Sequence, residues 1–386
     1  MDMNLLLQSL LLVVLSSVVI MYACNGYEEA ADYLGRNMPD GVKGATINAI
    51  GSSLPELFTG LHLIFALGFS GFLAAIGTTA GSAIFNGVII PALCILAVMF
   101  VGVKQPDGSR LKIPYIQVDK KTILRDGIFL LTAEAVVIYL LGGVEFTLAH
   151  SVWIMVPYFA YFAYLMWQIK TSTVVDTTED EDDEEEDNSE PKGVLMALLT
   201  FDFNQLFFGG KELNDKRAWV VLGGSITIIG LACHFLANAV IDASTALQIP
   251  AYFAAAVLAA AATSVPDTIL SVKDALKGNY DDAVANAVGS NIFDVTICTG
   301  FPLLAYILWT GGSLMVPDSL NQAYLQELRI FLVVITSISF GLYYFGEKIG
   351  KMKAVILFGL YGIWLTYLIG RASQWEWLQS LINSIG

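Results

Sequence analysis

Ten apolar runs, most of them long enough to cross a bilayer as a helix, leave this chain few folds to choose from. They lie near Leu5 to Cys24, Val42 to Phe69, Phe72 to Val101, Gly127 to Gly143 and Phe146 to Trp167, then Ala218 to Val240, Ile249 to Val272, Ala283 to Trp309, Ile330 to Phe345 and Ala354 to Ile369. A crossing needs on the order of 20 mainly apolar residues, so the fourth, ninth and tenth runs require their flanks. With 56% hydrophobic residues, 14% charged and a mean hydropathy of +0.65, the chain is too apolar for an ordinary water-soluble globule. The expected class is an all-α integral membrane protein of ten transmembrane helices.

Orientation follows from the Lys and Arg residues, which collect in cytoplasmic loops. Arg36 and Lys43; Lys104, Arg110, Lys112, Lys120, Lys121 and Arg125; Lys170, Lys192, Lys211, Lys216 and Arg217; Lys273 and Lys277; and Lys348, Lys351 and Lys353 all fall in alternate loops. Only Arg329 and Arg371 fall on the other side, so both termini are expected outside. Two sets of five crossings then enter the membrane from opposite sides, which makes them inverted repeats, an arrangement common in secondary transporters. The expected divisions are 1–169 for the first repeat, 170–217 for a cytoplasmic linker and 218–386 for the second repeat. A signal peptide is a competing reading of the first run. Met1 to Asn4 carry no basic residue and the run is long, so a retained helix is favoured.

The net charge of −15 says little about partners. Eleven of the 35 acidic residues lie between Asp176 and Glu190, and removing them leaves −4. Such a block is expected to be a solvated, extended linker; a low-affinity collector of divalent cations is the sharper alternative. No EF-hand spacing is present. Cys24, Cys94, Cys233 and Cys298, like His62, His150 and His234, stand singly, so neither a zinc site nor a disulfide framework is indicated. No cofactor and no nucleic-acid partner is expected.

The chemistry lies in two duplicated blocks. SSLPELFTG at Ser52 to Gly60 is matched by TSVPDTILS at Thr263 to Ser271, and GSAIFN at Gly81 to Asn86 by GSNIFD at Gly289 to Asp294. Each first block sets a carboxylate, Glu56 or Asp267, directly after a proline. A carboxylate in hydrocarbon is costly and marks a functional site. Pro55 and Pro266 each remove a helical donor, freeing the carbonyls of Gly51 and Ala262. Free carbonyls at membrane depth need a partner, and a dehydrated cation is one. Ser53 with Glu56, Ser82 with Asn86, Ser264 with Asp267 and Ser290 with Asp294 stand three or four residues apart, each pair along one helix face. These are oxygen donors without thiolate or imidazole, the preference of Ca²⁺, Na⁺ or K⁺. The bland reading of the small residues is close helix packing, which suits Ala74, Ala75, Ala80 and Ala254 to Ala262. Glu134 has no acidic counterpart in the ninth run and is left out of the site.

These blocks resemble the two alpha-repeats of the sodium/calcium exchanger family, within the cation/calcium antiporter superfamily. The resemblance implies Ca²⁺ ligation by Glu56 and Asp267 with carbonyls near Ser52 and Thr263. It implies Na⁺ sites at Ser53, Ser82, Ser264 and Ser290 with carbonyls near Ala49 and Ala260, and polar positions at Asn86 and Asp294. It further implies Na⁺/Ca²⁺ antiport in a plasma or inner membrane, with the first and sixth helices as the moving element. Asp267 stands where the prokaryotic pattern has Glu, and Asp294 also resembles the potassium-dependent branch, which leaves K⁺ cotransport open. Proton-coupled relatives have asparagine before the acidic residue, unlike SSLPE. A Ca²⁺/H⁺ antiporter, a calcium channel and, more remotely, an intramembrane aspartyl hydrolase using Asp267 and Asp294 are the other readings; only the last is an enzyme.

Overall fold

The computed structural model describes residues 2–36, 49–105, 107–171, 194–346 and 348–385. Hydrocarbon offers no partner to backbone polar groups, so apolar runs of this length close their hydrogen bonds internally as helices. The helices are α1 (Met3–Leu34), α2 (Ala49–Leu67), α3 (Phe69–Phe100), α4 (Lys120–Leu140), α5 (Leu148–Thr171), the short α6 (Val194–Leu199) and α7 (Phe203–Phe208), then α8 (Asp215–Leu247), α9 (Ala251–Thr263), α10 (Val265–Lys277), α11 (Tyr280–Thr310), α12 (Ser319–Tyr344), α13 (Lys351–Ala372) and α14 (Glu376–Ile385). Each of the ten apolar runs falls on one of these helices or, for the seventh, on the pair α9–α10, while the start of the second run lies outside the described residues. Among the described residues eight helices are long and apolar enough to cross a membrane, and α9–α10, bent by 42°, makes a ninth. Helix α4 is not among them, because its 21 residues include Lys120, Lys121, Arg125, Asp126 and Glu134.

Several helices outrun their apolar signal because polar residues in them are capped or paired. Asp2 accepts the amides of Asn4 and Leu5 at the start of α1, and Asn214 accepts that of Arg217 at the start of α8. Helix α12 begins eleven residues before its apolar run, and Glu327 in that stretch takes two contacts from Arg371, Nε to Oε2 at 2.9 Å and Nη2 to Oε1 at 3.0 Å. Arg329 reaches the Ile138 carbonyl at 2.8 Å. Both basic residues that depart from the loop bias are therefore bonded.

Among the described residues there are three two-stranded ladders, two of which reveal the relation between the halves. Strands β1 (Val103–Lys104) and β2 (Arg110–Leu111) form a local hairpin. Strand β3 (Tyr115–Ile116), between α3 and α4, pairs antiparallel with β6 (Ile349–Gly350), between α12 and α13. Strand β4 (Glu145–Phe146), between α4 and α5, pairs with β5 (Leu314–Met315), between α11 and α12. In these last two ladders a loop after the third helix of one half meets a loop after the fourth helix of the other. Those loops lie on opposite faces within a half, so they can pair between halves only if one half is upside down. Other contacts keep the same division. Arg36 bonds Asp215 at 3.0 Å and the Asp119 amide bonds Asp281 at 2.5 Å on one face; the Asp2 amide reaches the Ala246 carbonyl at 3.2 Å on the other.

The interior is divided as well. Helices α1 and α8 lie along each other and share an apolar core with parts of α2 and α9, including Ile20, Leu63, Ile229 and Leu236. A larger core joins α3, α4, α5, α11, α12 and α13. The acidic block at 176–190 lies outside the described residues. Beyond it, Phe203 on α7 is buried with Ala30 and Val221, which fastens the end of the predicted linker to α1 and α8.

Candidate ion site

Helices α2, α3, α10 and α11 bring both duplicated blocks to one place. Ser52, Ser53, Glu56, Ser82, Asn86, Thr263, Ser264, Asp267, Ser290 and Asp294 are all fully buried. The Ser82 hydroxyl stands 3.0 Å from Glu56 Oε1, 2.9 Å from the Ser264 hydroxyl and 3.1 Å from Asp294 Oδ2. The Asn86 amide donates to Asp267 Oδ2 at 3.0 Å and lies 3.5 Å from the Ser290 hydroxyl. Thr263 lies beside Glu56 as its counterpart Ser52 lies beside Asp267, so each repeat sets a hydroxyl residue next to the other repeat's carboxylate, with the Thr263 hydroxyl itself turned to the Ala259 carbonyl at 3.0 Å.

A hydroxyl has one proton, and Ser82 faces three oxygens. If Ser264 donates to Ser82, Ser82 can donate to Glu56 or to Asp294 but not both, so with both carboxylates ionised one close oxygen pair has no proton between its atoms. Glu56 Oε2, Asp267 Oδ1 and Asn86 Oδ1 also have no hydrogen-bond partner, although buried groups of this kind are normally satisfied. No Lys or Arg side chain bonds any of the three carboxylates among the described residues. The arrangement is short of positive charge and offers hard oxygens, which fits a cation as substrate. Among the described residues no three His, Cys, Asp or Glu gather around a single point; Ser82 stands between Glu56 and Asp294, and Asn86 beside Asp267.

The two proline motifs fold differently. Pro55 lies inside the continuous α2, whereas Pro266 lies in the first turn of α10 and the chain breaks at Ser264, with φ −79° and ψ 1°. A π-helical turn at Ala255–Ala259 precedes the break. The Ser264 carbonyl is held by the Thr268 amide at 3.0 Å and hydroxyl at 2.7 Å. That of Ala260 accepts the Ser264 amide at 3.1 Å and the Thr263 hydroxyl at 3.3 Å. Ala49 is the first residue of α2.

The carbonyls freed by the prolines are met by α1 rather than left open. Ser17 donates to the Ala262 carbonyl at 3.2 Å, and the Cys24 thiol points at that of Gly51 at 4.0 Å. Cys233 on α8 approaches the Pro55 carbonyl at 3.5 Å, and Cys298 that of Ser53 at 3.5 Å. Sequence reasoning passed over these thiols because each is alone in its run. A signal existed: Cys24 and Cys233 are separated by nearly the interval between the duplicated blocks. Ser17→Ala is expected to lower stability by about 1–3 kcal/mol, the cost of an unpaired buried carbonyl, read as a lower melting temperature in detergent. An unchanged melting temperature would show that Ala262 needs no partner there. Glu134 stands apart from the site, fully buried, and accepts a hydrogen bond from Thr336 on α12 at 2.7 Å.

The profile described as "Sodium/calcium exchanger protein" matches residues 8–169 and 217–370, most of the chain and one stretch in each half. The chain belongs to the sodium/calcium exchanger family. Sodium/potassium/calcium exchanger 2 of Gallus gallus is 38% identical over 109 residues, covering 28% of this chain and 16% of that protein. Sodium/potassium/calcium exchanger 5 of Homo sapiens is 35% identical over 111 residues, 28% of this chain and 22% of that protein. The matched stretches are thus less than a quarter of these relatives. Among solved structures, the H⁺/Ca²⁺ exchanger CAX shares the fold with a TM-score of 0.58 at 15% identity, over 98% of this chain and 91% of that one. The sodium-calcium exchanger NCX_Mj does so at 0.51 and 20%, over 93% and 97%. Exchangers of this family are transporters, and the chain is an integral multi-pass membrane protein with apolar helices to match.

Proposed function

We propose that this exchanger couples Na⁺ flow down its gradient to Ca²⁺ movement in the opposite direction by alternating access at the buried carboxylate cluster. The observation that carries this reading is that Glu56 and Asp267, one from each duplicated block, enter a single buried network with unpaired oxygens and, among the described residues, no basic side chain. Two carboxylates are balanced by one Ca²⁺ or by two Na⁺, and the hydroxyls of Ser53, Ser82, Ser264 and Ser290 provide oxygens for sodium when calcium is absent. Ser52, Thr263, Ala49 and Ala260 contribute through side chain or carbonyl, and Asn86 and Asp294 complete the polar wall. The two loads exclude each other, so a protein that changes access only when fully loaded exchanges one for the other. Helices α1 and α8, which share their own core, are the element that shifts. The basic loops and the acidic linker face the cytoplasm and both termini face outward, with residues 1–169 and 218–386 as the two repeats.

Membrane vesicles loaded with Na⁺ and diluted into Na⁺-free buffer are expected to take up radiolabelled Ca²⁺, and dissipating the Na⁺ gradient is expected to stop it. Uptake indifferent to Na⁺ would sink the coupling, and uptake driven by a proton gradient would favour Ca²⁺/H⁺ antiport. A second reading, with K⁺ carried alongside Ca²⁺, is favoured by Asp294 inside the network and by the similarity to sodium/potassium/calcium exchangers. Its mark is uptake that requires K⁺ on the Ca²⁺ side. A calcium channel would show flux without saturable counter-transport.

A further inference from the structure

Two histidines that stand alone in the sequence meet in the fold. The rings of His62 on α2 and His234 on α8 lie 5.0 Å apart between centroids, tilted by 55°. His62 Nδ1 lies 2.7 Å from the Phe58 carbonyl, which assigns its proton to that nitrogen and leaves Nε2 available. One turn beyond His234, the Asn238 side-chain amide is 3.1 Å from His234 Nε2. Amide orientation is set by its partners, and the reverse orientation turns its oxygen toward the same place. His234 and Asn238 are exposed and His62 is half-buried, although all three lie in stretches apolar enough to span a membrane. Polar side chains at such depth pair with one another or with backbone carbonyls, or line a functional pathway. The Phe235 ring packs edge-on against His234 at 5.7 Å, and no carboxylate or thiol joins the two imidazoles among the described residues.

The spacing has a chemical meaning. Two imidazoles bound to one tetrahedral ion, with metal–nitrogen distances of about 2.0–2.1 Å, hold their ring centroids roughly 5 Å apart. Imidazole suits Zn²⁺, Ni²⁺ and Cu²⁺, whereas Ca²⁺ and Na⁺ take oxygen. The pair is thus chemically distinct from the carboxylate cluster. We propose that His62 and His234, assisted by Asn238, form a binding site for a transition-metal ion such as Zn²⁺, with water in its remaining positions, that bridges α2 to α8.

The bridge would add a bond between two helices that already share apolar packing through Leu63 on α2 and Ile229 and Leu236 on α8. Helix α2 carries Glu56, and α8 shares its core with α1; the thiol approaches to the Gly51 and Pro55 carbonyls at 4.0 and 3.5 Å are polar links between them. A metal ion on the histidines holds α8 to α2. That it slows exchange rests on the alternating-access reading above; that it binds does not.

The test uses the full chain in lipid nanodiscs with excess Ca²⁺ to occupy the carboxylates, titrated with Co²⁺ and followed by visible absorption. One Co²⁺ per chain is expected, displaced by Zn²⁺, lost in His62→Gln and in His234→Gln, and retained in His150→Gln. No bound Co²⁺, or a spectrum unchanged by either variant, overturns the site and leaves the rings as packing. In vesicles, Zn²⁺ is expected to slow Na⁺-driven Ca²⁺ uptake. Each variant should weaken that inhibition at least about tenfold, the loss seen when even an outer-shell partner is removed, with uptake unchanged in the absence of Zn²⁺. Co²⁺ bound at the pair with exchange indifferent to Zn²⁺ overturns the bridge. If vesicles show no Na⁺-driven uptake at all, the Co²⁺ titration alone decides the site.

Discussion

Glu56→Gln is expected to reduce Na⁺-driven Ca²⁺ uptake to background while the protein still folds. Glu56 is fully buried with one oxygen facing Ser82 and the other unpaired, and Asp267 and Asp294 are the other carboxylates of the cluster. Two unit charges about 4 Å apart in an effective dielectric of about 20 interact by about 4 kcal/mol, and a divalent ion by twice that. Losing half of the divalent contribution is about a thousandfold in affinity. The substitution is nearly isosteric and removes a like charge from beside Asp267 and Asp294, so the melting temperature without Ca²⁺ should hold or rise, while its increase on adding Ca²⁺ should vanish. Uptake above about a tenth of the unsubstituted rate would rule out Glu56 as a calcium ligand. Asp267→Asn is expected to behave alike, since Asn86 and Ser52 hold it in the same network.

Gly81→Ala should be nearly as damaging although it adds a single carbon and removes no ion ligand. A Cβ at Gly81 would lie 2.4 Å from the Ala256 carbonyl oxygen and 2.8 Å from the Ala260 side chain. The first of these is backbone in the π-helical turn, so it cannot swing aside, and α3 and α9 must separate by several tenths of an ångström. Overpacking of this kind costs typically about 1–3 kcal/mol. Its functional effect is larger, because Ser82 is the next residue and contacts Glu56, Ser264 and Asp294 at once. A misplacement of about 1 Å in such a constellation can cost about a hundredfold in rate. The expected result is a lower melting temperature together with strongly reduced Ca²⁺ uptake. A variant with normal stability and normal uptake would show that the π turn yields freely and does not position Ser82.

Much of the architecture was legible in the chain, for identifiable reasons. Apolar runs near 20 residues can satisfy their backbone in lipid only as helices, so the places of α1, α3 and α11 follow from composition alone. The inversion was legible because Lys and Arg are sorted by side, and the β3–β6 and β4–β5 ladders pair the loops that an inverted arrangement requires. Boundaries were harder where polar residues have partners distant in sequence. Nothing local to Glu327 announces Arg371, and α12 consequently starts well before its apolar signal. Helix α4 shows the opposite difficulty, carrying more charge than a span usually holds, with Asp126 paired to Arg125 and Glu134 to Thr336.

The candidate site divides in the same way. Duplicated carboxylates after proline, with serines one helical turn away, identify Glu56, Asp267, Ser53 and Ser264 because both the cost of charge in hydrocarbon and the helical period act within a few residues. Which repeat bonds which could not be read from spacing: that Asn86 donates to Asp267, or that Ser17 on α1 reaches the Ala262 carbonyl, depends on how helices cross. The same holds for His62 and His234, isolated in the chain and 5.0 Å apart in the fold. The sequence by itself determined that the chain spans a membrane as two opposed halves with oxygen-rich, acidic motifs in the second and third helices of each, since hydropathy, charge sorting and helical periodicity are local properties. Only the tertiary structure decided that these motifs form one buried network, that freed carbonyls are met by α1 instead of standing open, and that two lone histidines become neighbours. Those outcomes depend on packing between helices, and close packing selects partners by shape rather than by distance along the chain.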